Sequence, residues 1–470
     1  MTEQIVDRRS IGLRSDRGPV LLALMLSTSL VALDSTIIAT AVLTIVGDLG
    51  GFTQFPWLFS IYLLAQAVSV PIYGKLADTF GRKPVILWGI GVFLLGSILC
   101  GLATSMIALI AFRAVQGLGA GAVQPMSITI AGDIYTVAER AKAQGYLASV
   151  WAISAVLGPT LGGVFSEYLS WRWIFFINIP LCVLAAWMLF RNLHEERPAT
   201  TKPEIDYLGT VLLTIGAGAV ILGLLEGGHA WAWNSPASYT VLGGGAILLI
   251  AFGFAERRAA NPILPLWLFT RRVLVASCLV AVLVGAIVLA LTSYVPTFVQ
   301  GALGTSAIVA GFAVAALTLG WPLTASLSGR VYLRLGFRAT GVIGSVLVTV
   351  GALLTTLITE GSEIWYVAAC CFIIGAGMGL VASPTLIAAQ SSVDWAERGV
   401  VTSTNMFTRS IGSAVGVAAF GAIVNSHIGR VDQPTPEQLA DAIHPVFVVI
   451  AVASVFMIAA AAMMPKRSAS

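Results

Sequence analysis

Residues 74–83 read GKLADTFGRK, and residues 329–338 read GRVYLRLGFR. In each stretch a second glycine follows seven residues after the first, and basic residues lie near both ends. The first stretch follows the second long apolar segment of the chain, and the second stretch follows the tenth. This repeat predicts two related halves of six membrane helices each, with two further helices inserted between them, which is a transporter design.

The composition places the whole chain in a membrane. Of its 470 residues 57% are hydrophobic and only 10% are charged, with a mean hydropathy of +0.91. A soluble domain carries about 25% charged residues, so soluble enzymes, nucleic-acid-binding proteins and disordered chains are excluded. The five cysteines lie in apolar runs without disulfide or metal-ligand spacing, and we expect no metal site from them.

A helix of about 20 apolar residues crosses a hydrocarbon core of ~30 Å. The chain contains fourteen such segments, at 19–43, 55–75, 84–104, 106–130, 143–165, 173–191, 206–226, 237–255, 273–297, 306–328, 339–358, 365–388, 400–425 and 445–465. The expected fold is an all-α multi-pass membrane protein. Its predicted parts are a tail (1–18), an N-terminal six-helix bundle (19–200), two inserted helices (201–258), a C-terminal six-helix bundle (259–465) and a second tail (466–470).

The basic residues predict the orientation. If the N-terminal tail lies inside and the connecting segments alternate between the two sides of the membrane, 22 Lys and Arg residues fall in inside segments. Two, Arg172 and Arg430, fall outside, and Arg113 and Arg409 fall within spans. Cationic loops stay cytoplasmic, so both termini are expected in the cytoplasm of a cell with this chain in its inner (plasma) membrane.

Several motifs resemble those of the major facilitator superfamily, and over essentially the whole chain they are similar to its 14-helix drug/proton antiporter branch. The matching stretches are Leu33–Thr36, the loop motif Gly74–Lys83, the arginine motif Arg113–Gly119, the antiporter motif Gly158–Gly163 and Trp171–Pro180. The second loop repeat departs from the pattern, because it has Leu333 where the first has Asp78.

The resemblance implies a major facilitator fold and a proton-coupled antiporter that exports apolar, often cationic, drugs or dyes by alternating access. It implies a small-molecule substrate, protons and the bilayer as partners, a functional monomer, and neither nucleic acid nor a cofactor. One alternative is an exporter of a physiological lipid or metabolite. A membrane-embedded sensor or enzyme is another, although no acid-base constellation and no nucleotide-binding loop occur in the sequence.

Asp34 and Arg113 are the candidate proton-coupling pair. An ionisable side chain inside a span costs at least ~2.5–3.5 kcal/mol, so a partner is expected. At 1.5 Å per residue, both lie roughly 20–22 Å from the inner edge of the membrane and hence at the same level. They form either a permanent structural ion pair or a carboxylate that alternates between a proton and its arginine, and the resemblance favours the second.

Other candidates line helix faces. Helical spacing predicts two inward polar stripes, which either line a substrate cavity or bond helices together. The candidate cavity residues are Tyr62, Gln66, Gln116 and Gln124, with Asn405 and Arg409 in the thirteenth span. The small residues of the antiporter motif, Gly158, Pro159, Gly162 and Gly163, predict close helix packing without direct chemistry.

The resemblance implies a conformational latch in a tight cytoplasmic turn formed by Gly74, Asp78, Gly81, Arg82 and Lys83. Asp78 is expected to reach the start of a helix near Gly399, where the helix dipole attracts a carboxylate. Glu226 is interpreted as a solvated loop acid in preference to a second proton site. Thr435 and Pro436 predict a helix start, and hence a short surface helix within 426–444.

Overall fold

The computed structural model describes residues 12–51, 54–55, 57–195, 206–228, 231–259, 261–428 and 435–465. Within these ranges the chain forms sixteen α-helices and no strand. The helices are α1 (Gly18–Ile37), α2 (Val42–Leu49), α3 (Trp57–Phe80), α4 (Arg82–Gly101), α5 (Met106–Ile134), α6 (Val137–Tyr168), α7 (Trp173–Phe176), α8 (Asn178–Asn192), α9 (Tyr207–Glu226), α10 (Pro236–Glu256), α11 (Arg272–Gly301), α12 (Ala307–Leu335), α13 (Phe337–Thr355), α14 (Ile364–Ser391), α15 (Arg398–Ile428) and α16 (Pro436–Ala462). Of the basic residues used for orientation, Arg8, Arg9, Arg197, Lys202, Arg430, Lys466 and Arg467 lie outside the described residues.

Fourteen helical segments among the described residues are long and apolar enough to cross a membrane, which confirms the predicted number. The segments α7 and α8 together form one of them. The break between them follows from Pro180, which has no N–H to offer the carbonyl of Phe176. The short helix α2 is an addition to the predicted set.

The first predicted span is wrong at its end. Helix α1 stops at Ile37, a 3₁₀ turn follows at Ile38–Thr40, and α2 begins at Val42. Thr36 and Thr40 donate hydroxyl hydrogen bonds to backbone carbonyls three and four residues before them. Bonds of this kind compete with the helical ladder and bend helices.

The predicted helix start at Thr435 is confirmed, but the separate surface helix is wrong. The side chains of Thr435 and Gln438 each accept a hydrogen bond from the other's backbone N–H, which is a capping box. The helix that begins at Pro436 then continues to Ala462 and is itself the last span. Pro445 lies inside it without ending it.

The tight turn expected at residues 74–83 consists of one residue, Gly81. Helix α3 runs to Phe80, and α4 begins at Arg82. Gly81 between them has φ +97° and ψ 158°, a conformation almost restricted to glycine. Asp78 therefore lies on the last turn of a helix, not in a loop as the sequence had indicated.

The chain packs as two compact units. The first comprises Met1–Leu222, Gly244–Leu266 and Val393–Phe407, and the second comprises Gly223–Gly243, Trp267–Ser392 and Thr408–Ser470. Each unit has its own apolar core, around Phe93 and Met126 in the first and around Phe298 and Met378 in the second. The start of α15 thus belongs to the first unit and the rest of that helix to the second.

Candidate functional site

A buried ion pair joins α1 to α5. Asp34 and Arg113 are each 1% exposed, and Arg113 Nη1 lies 2.5 Å from Asp34 Oδ2. The second carboxylate oxygen accepts a hydrogen bond from Gln116 Nε2 at 2.8 Å. The structure therefore brings together two residues that the sequence placed at the same depth, and it adds Gln116 as the second partner of the carboxylate.

Arg113 has three further partners besides the aspartate. Its Nη1 also donates to Gln116 Oε1 at 2.7 Å, and its Nε donates to the carbonyl of Leu58 at 3.2 Å. The guanidinium stacks over the Tyr62 ring, 4.1 Å from the ring centroid. Besides the carboxylate, the Arg113 guanidinium therefore has a carbonyl, an amide oxygen and an aromatic face as partners.

The sequence reading missed the partners that hold Gln116 in place. Gln116 Nε2 donates to Ser97 Oγ at 2.8 Å, and Asn178 Nδ2 donates to the same hydroxyl at 3.3 Å. Gln116 is fully buried, so in this structure it contacts the ion pair rather than open space. Ser97 and Asn178 are single polar residues within apolar runs, which is the signal that could have found them.

The antiporter motif lies against the residues that follow Asp34. A Cβ on Gly158 would overlap Thr36, and a Cβ on Gly162 would lie 2.5 Å from the carbonyl oxygen of Ile37. Thr36 Oγ1 also donates to the carbonyl of Ser154 on α6 at 3.0 Å. These two glycines allow α6 to approach the end of α1 and fix its position. A Cβ on Gly163 would meet nothing within 4 Å, and Pro159 lies within α6.

The remaining candidate cavity residues lie in two places. Gln66 on α3 donates to Gln124 Oε1 on α5 at 3.1 Å, and both side chains are half-buried. Asn405 and Arg409 lie one turn apart on α15, Asn405 in the first unit and Arg409 in the second. The Arg409 guanidinium lies 5.3 Å from the centre of the Trp321 ring. Among the described residues no carboxylate lies within salt-bridge distance of Arg409.

Asp78 contacts the start of α15. Its two carboxylate oxygens accept hydrogen bonds from the backbone N–H groups of Gly399 at 2.9 Å and Val400 at 2.7 Å. The first N–H groups of a helix have no partner within the helix, and the positive end of the helix dipole favours an anion there. The contact that the family resemblance implied near Gly399 is thus present in the structure.

Arg82 connects Asp78 to three residues that the sequence reading missed, namely Asp133, Arg398 and Trp395. It pairs with Asp78 at 2.8 Å and with Asp133 at 3.1 Å, and its side chain is 2% exposed. Asp133 in turn pairs with Arg398 at 2.9 Å. The guanidinium of Arg82 also stacks 3.6 Å above the centre of the Trp395 ring and donates to the carbonyl of Trp395.

The start of α4 has an anionic cap. Glu195, just beyond α8, accepts hydrogen bonds from the backbone N–H groups of Arg82 at 2.7 Å and Lys83 at 3.1 Å. A Cβ on Gly81 would lie 2.8 Å from one Glu195 oxygen, so the glycine also leaves room for this carboxylate. Lys83 Nζ donates to the carbonyl of Phe190 at 2.8 Å. The two adjacent acids just after the sixth span, Glu195 and Glu196, were the available signal.

Glu226 is not the solvated acid that the sequence favoured. It ends α9 and is 6% exposed. The interpretation was wrong because the glycines that follow it suggested an open loop, whereas the turn after α9 folds back. Gly228 N donates to the carbonyl of Trp231 at 2.8 Å, and a Cβ on Gly227 would lie 2.6 Å from the Trp233 ring.

One ion pair lies outside the spans. Arg172 Nη1 donates to Asp48 Oδ2 at 2.8 Å, and Trp171 Nε1 donates to the same oxygen at 3.0 Å. The Arg172 hydrogen bond, followed by that of Trp171, lowers the pKa of the Asp48 carboxyl below its ordinary value. The Asp48 side chain is 47% exposed, so solvent screens this pair strongly.

Fourteen membrane-length helical segments among the described residues, together with buried ion pairs, describe a multi-pass membrane protein of the transporter type. The chain belongs to the Major Facilitator Superfamily, whose model matches residues 24–417. It is 35% identical over 404 residues to Multidrug resistance protein 3 of Bacillus subtilis (strain 168), covering 86% of this chain and 79% of that protein. It is also 35% identical over 422 residues to the Multidrug transporter protein MdtP of the same strain, covering 89% and 77%.

Relatives also occur in fungi and among solved structures. The chain is 32% identical over 429 residues to Efflux pump dotC of Dothistroma septosporum, covering 90% of this chain and 74% of that protein. The crystal structure of the human organic anion transporter MFSD10 (TETRAN) matches with a TM-score of 0.65 at 14% identity. It covers 94% of this chain and 99% of that one. At this identity the structural match shows the fold alone.

Proposed function

We propose that this protein is a proton-coupled efflux transporter that exports apolar, often cationic, compounds by alternating access. Relatives named multidrug transporters and efflux pumps, at 32–35% identity over most of the chain, support the export of drugs or dyes. It acts as a transporter and not as an enzyme, works as a monomer, and lies in the plasma membrane. The excess of basic residues in alternate segments supports cytoplasmic termini.

The observation on which proton coupling rests is the buried pair of Asp34 and Arg113. We propose that this carboxylate, which is 1% exposed and held by an arginine and an amide, alternates between two forms. In one it is ionised and paired. In the other it is protonated, and Arg113 keeps the Gln116 oxygen, the Leu58 carbonyl and the Tyr62 ring as partners. These extra partners would offset part of the arginine's charge while the carboxylate is neutral, which supports a titrating role.

Substrate exchange would use the polar faces next to this pair. The half-buried amides of Gln66 and Gln124 lie on the same two helices, α3 and α5, as Tyr62 and Arg113. Asn405 and Arg409 provide the corresponding face of α15. We assign these faces to the substrate cavity. Movement of a proton onto Asp34 would release its bond to α5 and so alter the packing of α1 beside that cavity.

The network around Arg82 would act as the conformational latch. Asp78 and Asp133 belong to the N-terminal six-helix segment, whereas Gly399, Val400 and Arg398 belong to the C-terminal one. Closing the cytoplasmic end of the transporter would require these hydrogen bonds and ion pairs, and opening that end would require that they break. The low exposure of Arg82 means that separation exposes charges that are now mutually compensated.

The test compares Asp34→Asn, Arg113→Gln and the double variant in proteoliposomes with an imposed pH gradient. Asp34→Asn keeps the shape and removes the titrating group. We therefore expect gradient-driven transport of lipophilic cationic dyes to fall to the level seen when the gradient is collapsed. Asp48→Asn is the matched control, since it makes the same change in a half-exposed aspartate, and it should transport normally.

The double variant separates the proton-coupling role from a structural one. If the pair only held helices together, removal of both charges would leave neither unpaired and transport would recover. We expect the double variant to reach the membrane at normal levels and to stay uncoupled. Recovery of coupled transport in it, or normal coupling in Asp34→Asn, would overturn the proposal.

A further inference from the structure

Two acids meet at one end of the inserted helices. Asp206 directly precedes α9, and its Oδ1 accepts the backbone N–H of Gly209 at 2.8 Å, as a helix cap does. Glu256 is the last residue of α10 and is 4% exposed. Its Oε1 accepts the backbone N–H of Ile263 at 3.0 Å, which fastens the segment after α10 to the end of that helix.

The second oxygen of each acid has no partner. Asp206 Oδ2 and Glu256 Oε2 are both buried, and neither accepts a hydrogen bond among the described residues; the backbone N–H of Leu264 lies near the Glu256 carboxyl without forming one. Both acids lie against the same glycine. A Cβ on Gly209 would lie 3.1 Å from Glu256 Oε1 and would overlap Asp206 Oδ2. The absence of a side chain at Gly209 is therefore what allows the two carboxyl groups to approach each other.

The surrounding charges do not supply the missing donor. Lys75 of α3 acts on Glu256 through space, but no salt bridge joins it to either acid among the described residues. On α10 and just after it, Arg257 is exposed and lies against Phe254, and Arg258 is exposed. Two ionised carboxylates with buried, unpartnered oxygens repel each other and leave hydrogen-bonding capacity unused.

We propose that Asp206 and Glu256 together bind one proton, carried by Glu256 and directed at Asp206. One proton provides the single donor that both free oxygens lack. Ionised Asp206 keeps its favourable place at the start of α9, and neutral Glu256 still accepts from Ile263 through Oε1. Among the described residues no group of three or more His, Cys, Asp or Glu side chains is placed to hold a metal ion, which favours a proton over a cation.

The consequence is a second proton-binding site, in the inserted helices and distinct from the Asp34 pair. Loss of the proton would put a second negative charge at the pair, facing Lys75 of the Gly74–Lys83 stretch. It would also strengthen the hydrogen bond from Ile263, because an ionised carboxylate is a better acceptor than a neutral carboxyl. The site would thus make the packing of the inserted helices depend on the pH at this end of the molecule.

Infrared spectroscopy of the purified full-length protein tests the proposal directly. At pH 7 the wild type should show a carboxylic-acid C=O band that is lost in Glu256→Gln and lost also in Asp206→Asn, whose amide supplies the donor itself. Glu363→Gln is the matched control, because Glu363 is an exposed acid directly before α14, and it should leave the band unchanged. A band that persists in both site variants, or its absence from the wild type, would overturn the proposal.

Two further measurements separate a proton from a cation and from the main transport site. A band that disappears on addition of Na⁺ or Mg²⁺ at constant pH and ionic strength would show a cation site instead, and would overturn the proposal. A proton held only by the folded pair stabilises the fold by mass action, so the wild type should lose roughly 2 °C of melting temperature as the pH rises, relative to Glu256→Gln. The band should remain in Asp34→Asn, whatever that variant does to transport.

Discussion

The two copies of the internal repeat end one helix and begin the next in the same way. Gly81 joins α3 to α4 with φ +97° and ψ 158°, and Gly336 joins α12 to α13 with φ +85° and ψ 164°. Both lie in a region that other residues enter only at a cost of order 1–3 kcal/mol. The glycine spacing therefore encodes a sharp helix-to-helix turn, and it does so equally in both halves.

The side chains at two positions of the motif differ between the copies. In the first copy Asp78 and Arg82 are buried charges within a network of ion pairs. In the second copy the corresponding positions hold Leu333, which is 51% exposed, and Phe337, whose ring stacks on Tyr332 at 4.7 Å. The turn and the ionic contacts are thus separate properties of the motif, and only the first copy has both.

The largest expected effect comes from removing the charge at the centre of the first copy. Arg82→Gln leaves Asp78 and Asp133 buried without their shared cation, which should cost about 3–5 kcal/mol of folding free energy. The equivalent change in the second copy, Phe337→Leu, loses mainly ring stacking, about 0.5–1.5 kcal/mol. Thermal unfolding of both purified variants measures the difference. Similar losses at the two positions would show that the ionic network adds nothing to stability.

A smaller effect should follow from Asp78→Asn, which keeps one acceptor for α15 and loses the charge. A hydrogen bond to a charged group is worth about 1.5–3 kcal/mol. The population of molecules that are open at the proposed cytoplasmic end should therefore rise about tenfold or more. Labelling of a cysteine placed in the cytoplasmic half of the cavity should speed up accordingly. Leu333→Asn is the matched control and should leave the labelling rate unchanged. Equal rates in the two variants would remove the latch role from Asp78.

The turn itself provides the next comparison. Gly81→Ala and Gly336→Ala should each cost about 1–3 kcal/mol, because both glycines have the same backbone conformation. Gly81→Ala should cost more, since its Cβ would lie 2.8 Å from the Glu195 carboxylate that caps α4. Adding Glu195→Ala to each variant completes a double-mutant cycle of unfolding measurements. The coupling should appear only with Gly81, and coupling of the same size with Gly336 would contradict this account.

Hydropathy was sufficient for the number of membrane spans, whereas the resemblance of the motifs implied the major facilitator fold. The number of spans follows from the thickness of the bilayer, which no tertiary contact can change. The rise per residue placed Asp34 and Arg113 at one level, because in a straight helix depth depends only on position in the sequence. The ends of α1 and α16 were not predictable in this way, since local hydroxyl bonds end α1 early and a capping box extends the last helix outward.

The partners in the ionic network depend on tertiary packing. Asp133 and Arg398 are 265 residues apart, and no periodic pattern relates them. Trp395 and Glu195 lie in connections between α-helices, where sequence reasoning has no regular geometry to work with. For Asp206 and Glu256 the acids were visible in the sequence, but their approach depends on the packing of α9 against α10 at Gly209. Contacts of this kind become visible only in three dimensions.

The smallest effect is expected at an ion pair outside both copies, between Asp48 and Arg172. The hydrogen bond from Arg172 lowers the pKa of Asp48, so the pair stabilises the fold above the ordinary carboxyl pKa of about 3.9 and loses this contribution as the pH falls through the lowered value. Asp48→Asn should therefore melt slightly below the wild type at pH 7, and the gap should close in strong acid. High salt should also close it, because the pair is exposed, whereas the deficit of Arg82→Gln should persist in salt. If salt removed both deficits equally, the contrast between a buried network and a screened surface pair would be lost.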